Sequence, residues 1–503
     1  MKTLRKILCL VIVAIMAFSC CSVAFAGNDE GYPMVYLAGF GDTNIYYEDD
    51  PEQKSLFFPL DTDRLLGNLG NMGDYIKKAI RTREPDLLYT CIYSYVWDSF
   101  GMLRLNPDGS CVDGVVSSPV KLNYIGNGRY DFNYDWRLDP YELTKQLRDY
   151  IIEVKEATGA EKVELVASSF SANTALTYLE VYKDELDDID SVILCVPSIG
   201  GISLFSELLA GEINVEYVAF KNYIANLDDS GFIYDVLDLL DEAGVLKPII
   251  DCMLIPALKA ALYDALMDIC RDIVATIPAA WACVTDEYFE KAMINMFGED
   301  YDSPDHEYAP HIKRVTDFHN DIKLKAEDIL SDTKANNPDM HMAVVCKYGN
   351  PSIPLSKYDE VLTDGLVFIE VSSFGATCAD YGKTFADDYK QAKYPETNLI
   401  SPDRQIDAST CLFPFSTWFI KGLDHAQQNE DYHKVLAAIA YGDLDVGTDE
   451  EYPQYLMVSP EDEERIVPFY FYEEEETLYD KLWNIFRTMV LLPKTIFSRI
   501  FGR

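Results

Sequence analysis

Val163-Glu164-Leu165-Val166-Ala167-Ser168-Ser169-Phe170-Ser171-Ala172-Asn173-Thr174-Ala175-Leu176 is the stretch on which the fold class turns. Its first five residues are a short apolar run of the kind that forms a buried strand. Small residues then make a turn, and Ala175, Leu176 and Leu179 follow at helical spacing. A strand that runs straight into a sharp turn and a helix holds the side chain at the apex strained and exposed at the carboxyl edge of a sheet, where a nucleophile is needed. Ser169 occupies that apex, flanked two residues away on either side by Ala167 and Ser171, which are small as the geometry demands. A small-x-Ser-x-small string is also common in ordinary strand-to-helix turns, with Ser168 or Ser169 as a helix cap. The surrounding sequence has to decide.

Upstream, Met34-Val35-Tyr36-Leu37-Ala38 reads as a buried strand entering the glycine-bearing loop Gly39-Phe40-Gly41. Pro140 opens a helix with Leu143, Leu147, Ile151 and Val154 on one face, closed at Gly159. Downstream, residues 191–196 form the next strand, and residues 342–346, 366–371 and 417–420 resume the pattern. Strands alternating with helices at this spacing predict an α/β fold, a mostly parallel sheet with helices on both faces. Between them, residues 201–340 carry long apolar helical segments and no strand-like alternation, which predicts a large helical cap insertion. The expected organisation is a leader over 1–26, a first core part over 27–200, the cap over 201–340, a second core part over 341–455, and an acidic linker with a basic amphipathic tail over 456–503.

A serine nucleophile needs a base and an orienting carboxylate, here expected in the order Ser, Asp, His. Of the six histidines, His425 alone follows a strand and precedes a closing helix, the position expected of the base. His433 reads as a helix-surface residue, and His306, His311 and His319 as solvated or capping residues of the cap. Asp403 is the expected acid, Asp407 the alternative, and Asp424 adjoins His425 too closely to orient its ring. Ser372-Ser373-Phe374-Gly375, after the strand expected over 366–371, is a rival turn without a clear helix behind it. The oxyanion of acyl transfer needs backbone donors, one after the nucleophile and one after an earlier strand. Phe170 and Phe40 meet those positions, although Gly39-Phe40-Gly41 also reads as a simple turn.

Taken together these residues resemble the lecithin:cholesterol acyltransferase family, which includes lysosomal phospholipases and phospholipid:diacylglycerol acyltransferases. Tyr134-Asp135-Trp136-Arg137, a helix and a strand before the serine turn, carries the resemblance most specifically. The likeness is continuous from about Tyr130 to Leu179, with weaker anchors at Gly39, at Asp403 to Ile406 and at His425. It implies an α/β-hydrolase fold and a Ser169, Asp403, His425 triad. It further implies oxyanion donors at Phe40 and Phe170, and structural support of the site by Asp135, Trp136 and Arg137. Ala167 and Ser171 stand where the family has glycines, and Ser168 where it has histidine. The family often tethers a lid loop by a disulfide, and Cys91 with Cys111 falls in the comparable region. The implied activity is ester hydrolysis or acyl transfer on a lipid or acyl ester. A catalytically inactive lipid- or surface-binding module and an amidase or peptidase remain the alternatives.

Charge and composition bound the partners. The chain has 503 residues and a formal net charge of −42, and removing Lys2, Arg5 and Lys6 with the leader makes it −45. Nucleic acid is excluded as an expected partner on that charge. The leader has a basic start, an apolar run from Ile7 to Phe18 and Ala24-Phe25-Ala26 before polar residues, the order of a cleaved secretory signal. A lipoprotein anchored at Cys20 or Cys21 is the alternative. The expected location is therefore secreted or at the cell surface. Of 12 cysteines, nine follow the leader, with no Cys-x-x-Cys; Cys195 and Cys346 sit in apolar runs and read as core. No metal or other cofactor is expected, since no EF-hand spacing and no glycine-rich phosphate loop is present. From Tyr479 onward, aromatic and aliphatic residues interleave with Lys481, Arg487, Lys494, Arg499 and Arg503, a candidate membrane-surface element that also reads as a packed helix pair.

Overall fold

The structure is a computed structural model that describes residues 31–39, 45–50, 56, 85–214, 217–218, 221, 232–353, 356, 361–442 and 444–470. The leader, Phe40 and the tail from Tyr479 lie outside the described residues.

A nine-stranded sheet organises the chain. Its strands are β1 (Met34–Leu37), β2 (Tyr124–Gly126), β3 (Arg129–Asp131), β4 (Val163–Ser168), β5 (Ile189–Cys195), β6 (His341–Tyr348), β7 (Thr417–Lys421), β8 (Tyr455–Ser459) and β9 (Asp462–Pro468). They lie in the order β9-β8-β7-β6-β5-β4-β1-β3-β2. Every pairing from β3 to β8 across the middle is parallel, while β2 and β9 close the two edges antiparallel. This is the α/β architecture expected from the alternating strands and helices.

Alternation along each strand fills both faces. Val35, Leu37, Leu165, Ala167, Val344, Cys346 and Phe419 join one buried cluster, and Met34, Tyr36, Val166, Ala343, Val345, Trp418 and Ile420 join the other. Helices α1 (Pro140–Thr158) and α2 (Ser171–Val181) pack on the first face, and α3 (Glu430–Gly442) covers the second with Tyr432, Val435, Leu436 and Ile439. α1 starts where the Asp139 side chain accepts the Glu142 N–H, with Pro140 in the first turn, and stops at Gly159, whose φ of 71° is left-handed. Cys195 and Cys346 are core residues, and burial pushes the Cys195 thiol up to about 12.

Among the described residues between β5 and β6 the regular elements are helices, including Ser203–Leu209, Ile255–Asp272, Asp286–Phe297 and Ala309–Asp321. The helix Pro85–Phe100, far earlier in sequence, packs on Ile255–Asp272, where the hydroxyls of Tyr89 and Tyr93 donate to Asp268 and Asp272, both at 2.7 Å. The inserted helical layer therefore also holds residues that were expected in the first core part.

Two expectations about elements are corrected. Residues 366–371 are not a strand: Leu366 and Val367 wrap around the Asp364 carboxylate, and Ile369–Ser372 is a short helix. The stretch after 455 is not a linker up to residue 468, because β8 and β9 form an antiparallel pair there. Asp462, Glu463, Glu464 and Arg465 on β9 are exposed, and such charges keep an edge strand from pairing with another chain.

Candidate functional site

Because β4, β6 and β7 run parallel, their carboxyl ends lie at one edge of the sheet, where open α/β sheets hold their ligands. Ser169 follows β4 directly, Asp364 stands in the loop after β6, and His425 follows β7. Ser169 takes a φ of +56°, the left-handed region that a residue with a Cβ enters only at a cost of about 1–3 kcal/mol. The surroundings hold it there: its N–H donates to the Cys195 carbonyl at 2.8 Å, and its carbonyl accepts the Ser198 N–H at 3.4 Å.

The small residues of the turn have identifiable tasks. Ser171, at the position where the resembling family has glycine, accepts the Ser168 N–H at 2.9 Å, and its hydroxyl lies 2.8 Å from the Leu37 carbonyl and 2.9 Å from that of Ser168. The side chain thus braces the turn internally and ties it to β1. Ala167 is fully buried. Gly39 presses on the serine: a Cβ added there would lie 3.1 Å from the Ser169 Cβ and 3.3 Å from the Ser168 carbonyl.

Ser169 Oγ lies 2.7 Å from His425 Nε2, and His425 Nδ1 lies 2.7 Å from Asp364 Oδ2. All three are buried, and the Asp364 carboxylate is fully so. The other oxygen of that carboxylate, Oδ1, accepts the N–H groups of Leu366 at 3.0 Å and Val367 at 2.8 Å. Two backbone donors thereby fix which oxygen faces the imidazole. The backbone repeats the link, since the His425 N–H donates to the Asp364 carbonyl at 2.9 Å.

Asp364 therefore replaces Asp403 at the imidazole. Asp403 is engaged elsewhere, its Oδ2 accepting from Lys421 Nζ at 2.8 Å and the Tyr348 hydroxyl at 3.2 Å, its Oδ1 from the Ser401 hydroxyl at 2.6 Å. Asp407 does not meet the ring either: it accepts from the Tyr389 hydroxyl and the Ala392 N–H on one oxygen and from Ser409 N–H on the other. Both order the loop that precedes β7. Asp424 is not the ring's partner, since both imidazole nitrogens are taken by Ser169 and Asp364, and burial followed by the nearby Asp364 charge pushes its carboxyl up from the usual range. The rival Ser373 donates to the Ile369 carbonyl at 2.6 Å and accepts the Ala376 N–H at 3.0 Å, helix-end bonds with no imidazole.

Of the expected oxyanion donors, Phe170 is buried at the start of α2 with a φ of −55°, and Phe40 lies outside the described residues. The Tyr134 hydroxyl stands 2.6 Å from both the Ala38 and Gly39 carbonyls, so it pins the loop that leads to Phe40. Asp135 and Arg137 form a buried two-point pair, with Arg137 Nε to Oδ1 at 2.9 Å and Nη2 to Oδ2 at 2.7 Å. Arg137 also donates to the Leu103 carbonyl at 3.3 Å and to Cys111 Sγ at 3.0 Å, and Trp136 is buried beside them. Cys111 is a free thiol here, held by that guanidinium rather than bridged to Cys91.

His433, His311 and His319 are more buried than their sequence setting suggested, whereas His306 caps a helix end as expected. His433 is fully buried edge-on to Tyr36 and Tyr432, and burial drives it down to about 3. His311 is driven to about 4 by burial and then by Arg314. His319 stacks on Phe289 with ring centroids 3.8 Å apart and bonds Asp286 at 3.1 Å. His306 bonds the Phe297 carbonyl at 3.1 Å. A cavity of about 460 Å³ is lined in part by Trp97, Arg104, Phe297, His306 and Tyr308 and by no residue of the serine turn or its partners.

The sequence matches no protein-family model and no curated protein. Among the described residues no group of His, Cys, Asp and Glu side chains is arranged to hold a metal ion, and no helix is long and apolar enough to cross a membrane.

Proposed function

We propose that this chain is an exported serine hydrolase of the α/β-hydrolase fold, similar to the lecithin:cholesterol acyltransferase family, acting on lipid or acyl esters. The observation that carries the reading is the continuous relay of Ser169 Oγ, His425 and Asp364, each link 2.7 Å long, at the carboxyl edge of a parallel sheet.

In the proposed reaction His425 Nε2 takes the Ser169 proton as Oγ attacks the ester carbonyl carbon. Asp364 holds Nδ1 protonated and stabilises the imidazolium that forms. The amides of Phe170 and Phe40 donate to the developing oxyanion. Collapse expels the alcohol, which takes its proton from His425, and leaves an acyl group on Ser169. Water activated by the same imidazole then releases the acid; an alcohol in its place makes the reaction an acyl transfer. The basic, aromatic tail from Tyr479 supplies a surface that would bring the enzyme to lipid.

A series of p-nitrophenyl esters of increasing acyl length tests this. The expected outcome is hydrolysis with an initial burst equal to the enzyme concentration where deacylation is slow, abolished by Ser169→Ala. A folded protein inert to the whole series, or a Ser169→Ala variant as active as the parent, refutes the reading.

A further inference from the structure

We propose that Lys347 is a positioning residue for His425, a buried cation that fixes the base through its backbone. The inference rests on the triad reading given above. Lys347 is the penultimate residue of β6, level with Ile420 on β7, and is 1% exposed. Lysine is almost never buried to this extent unless its ammonium is paired, because taking the charge out of water is costly.

What the ammonium reaches is the turn that carries the base. Nζ donates to the carbonyls of Asp424 at 3.4 Å, His425 at 3.1 Å and Gln427 at 2.5 Å. It also sits 4.3 Å from the centre of the Tyr432 ring on α3. One side chain therefore joins the strand before Asp364, the turn bearing His425 and the helix that follows it.

The consequence is geometric. The His425 amide is tied to the Asp364 carbonyl at 2.9 Å, and its carbonyl is tied to Lys347, so both sides of its backbone are anchored. With the main chain held at both ends, the imidazole needs only one rotamer to span Ser169 and Asp364. Releasing one anchor lets the turn relax, and a misplacement of about 1 Å in a catalytic group costs on the order of 100-fold in rate. These contacts reach the backbone of the turn that carries His425, so Lys347 acts through the base.

Lys347→Met, close in length and uncharged, tests this in the full chain, with p-nitrophenyl ester hydrolysis as the readout and chemical denaturation to establish folding. The expected result is a kcat lower by on the order of 100-fold with KM within about twofold. In a His425→Ala background, where only the residual activity of the site remains, the same substitution should change kcat by less than about twofold. A general structural defect would lower both backgrounds alike and raise KM. If Lys347→Met does not fold, Lys347→Leu, which likewise carries no donor to the turn, is read by the same comparison. An active parent whose folded Lys347 variant keeps its kcat, or loses as much again in the His425→Ala background, overturns the positioning role. An inactive parent instead overturns the triad reading on which it rests.

Discussion

Replacing Asp364 with asparagine should remove activity without removing the fold, for a reason that lies in the contacts of both its oxygens. Oδ1 accepts two backbone N–H groups, from Leu366 and Val367, and Oδ2 faces His425 Nδ1 at 2.7 Å. Only the carbonyl oxygen of an asparagine can satisfy the two backbone donors, so its NH₂ is forced toward the imidazole. That NH₂ can only donate, which makes Nδ1 the acceptor and puts the ring proton on Nε2. A protonated Nε2 cannot take the Ser169 proton at 2.7 Å. In serine hydrolases this exchange of tautomer lowers kcat by about 10⁴-fold, equivalent to about 5.4 kcal/mol of transition-state stabilisation. Steady-state ester hydrolysis should show that loss, with the denaturation midpoint close to the parent's. Asp403→Asn is the internal control: it loosens the pair with Lys421 and lowers stability while leaving kcat within about threefold. Loss of kcat in Asp403→Asn with Asp364→Asn fully active would refute the assignment of the acid.

Further outcomes follow from the surrounding structure. Gly39→Ala puts a methyl group 3.1 Å from the Ser169 Cβ, so ester hydrolysis should fall at least about tenfold while the circular dichroism spectrum is unchanged; full activity would show that the loop yields freely. Arg137→Met strands the buried Asp135 carboxylate, which should cost about 3–5 kcal/mol in urea denaturation, far beyond an exposed pair. Acid should destabilise the protein through His311. Its folded-state value is lowered to about 4, so below the ordinary value near 6.5 the unfolded chain binds a proton that the folded chain does not. The stability is therefore complete above about pH 6.5 and is lost as pH falls toward 4, by about 1.4 kcal/mol per pH unit from this group. A His311→Phe variant measured by denaturation at several pH values should show a slope shallower by that amount.

The sequence pattern and the structure agree where a local rule was at work. A short apolar run followed by small residues and a helical repeat located Ser169, and a strand-turn-helix order located His425, because both are set by neighbours within a few residues. Asp364 left no comparable trace. It stands in a loop after β6, held by bonds between residues far apart in that loop, such as the Gly349 and Asn350 amides on the Thr363 carbonyl. In a chain with 84 acidic residues, one Asp-Gly turn does not stand out. The run Leu366 to Val371 is rich in residues that favour strands, yet the backbone bonds that wrap the Asp364 carboxylate outweigh that preference. His433 shows the opposite case. It lies three residues before Leu436, on the buried face, so its burial was legible from helical spacing that the polar character of histidine obscured.

The most direct measurement is the position of a covalent adduct. Treated with an alkyl fluorophosphonate and mapped by peptide mass spectrometry, the folded protein should carry one phosphonyl group, on Ser169. Ser169→Ala should carry none, and Asp364→Asn should react slower by several orders of magnitude. An unlabelled parent, or a label on Ser373 that persists in Ser169→Ala, would contradict the assignment of Ser169 as the nucleophile.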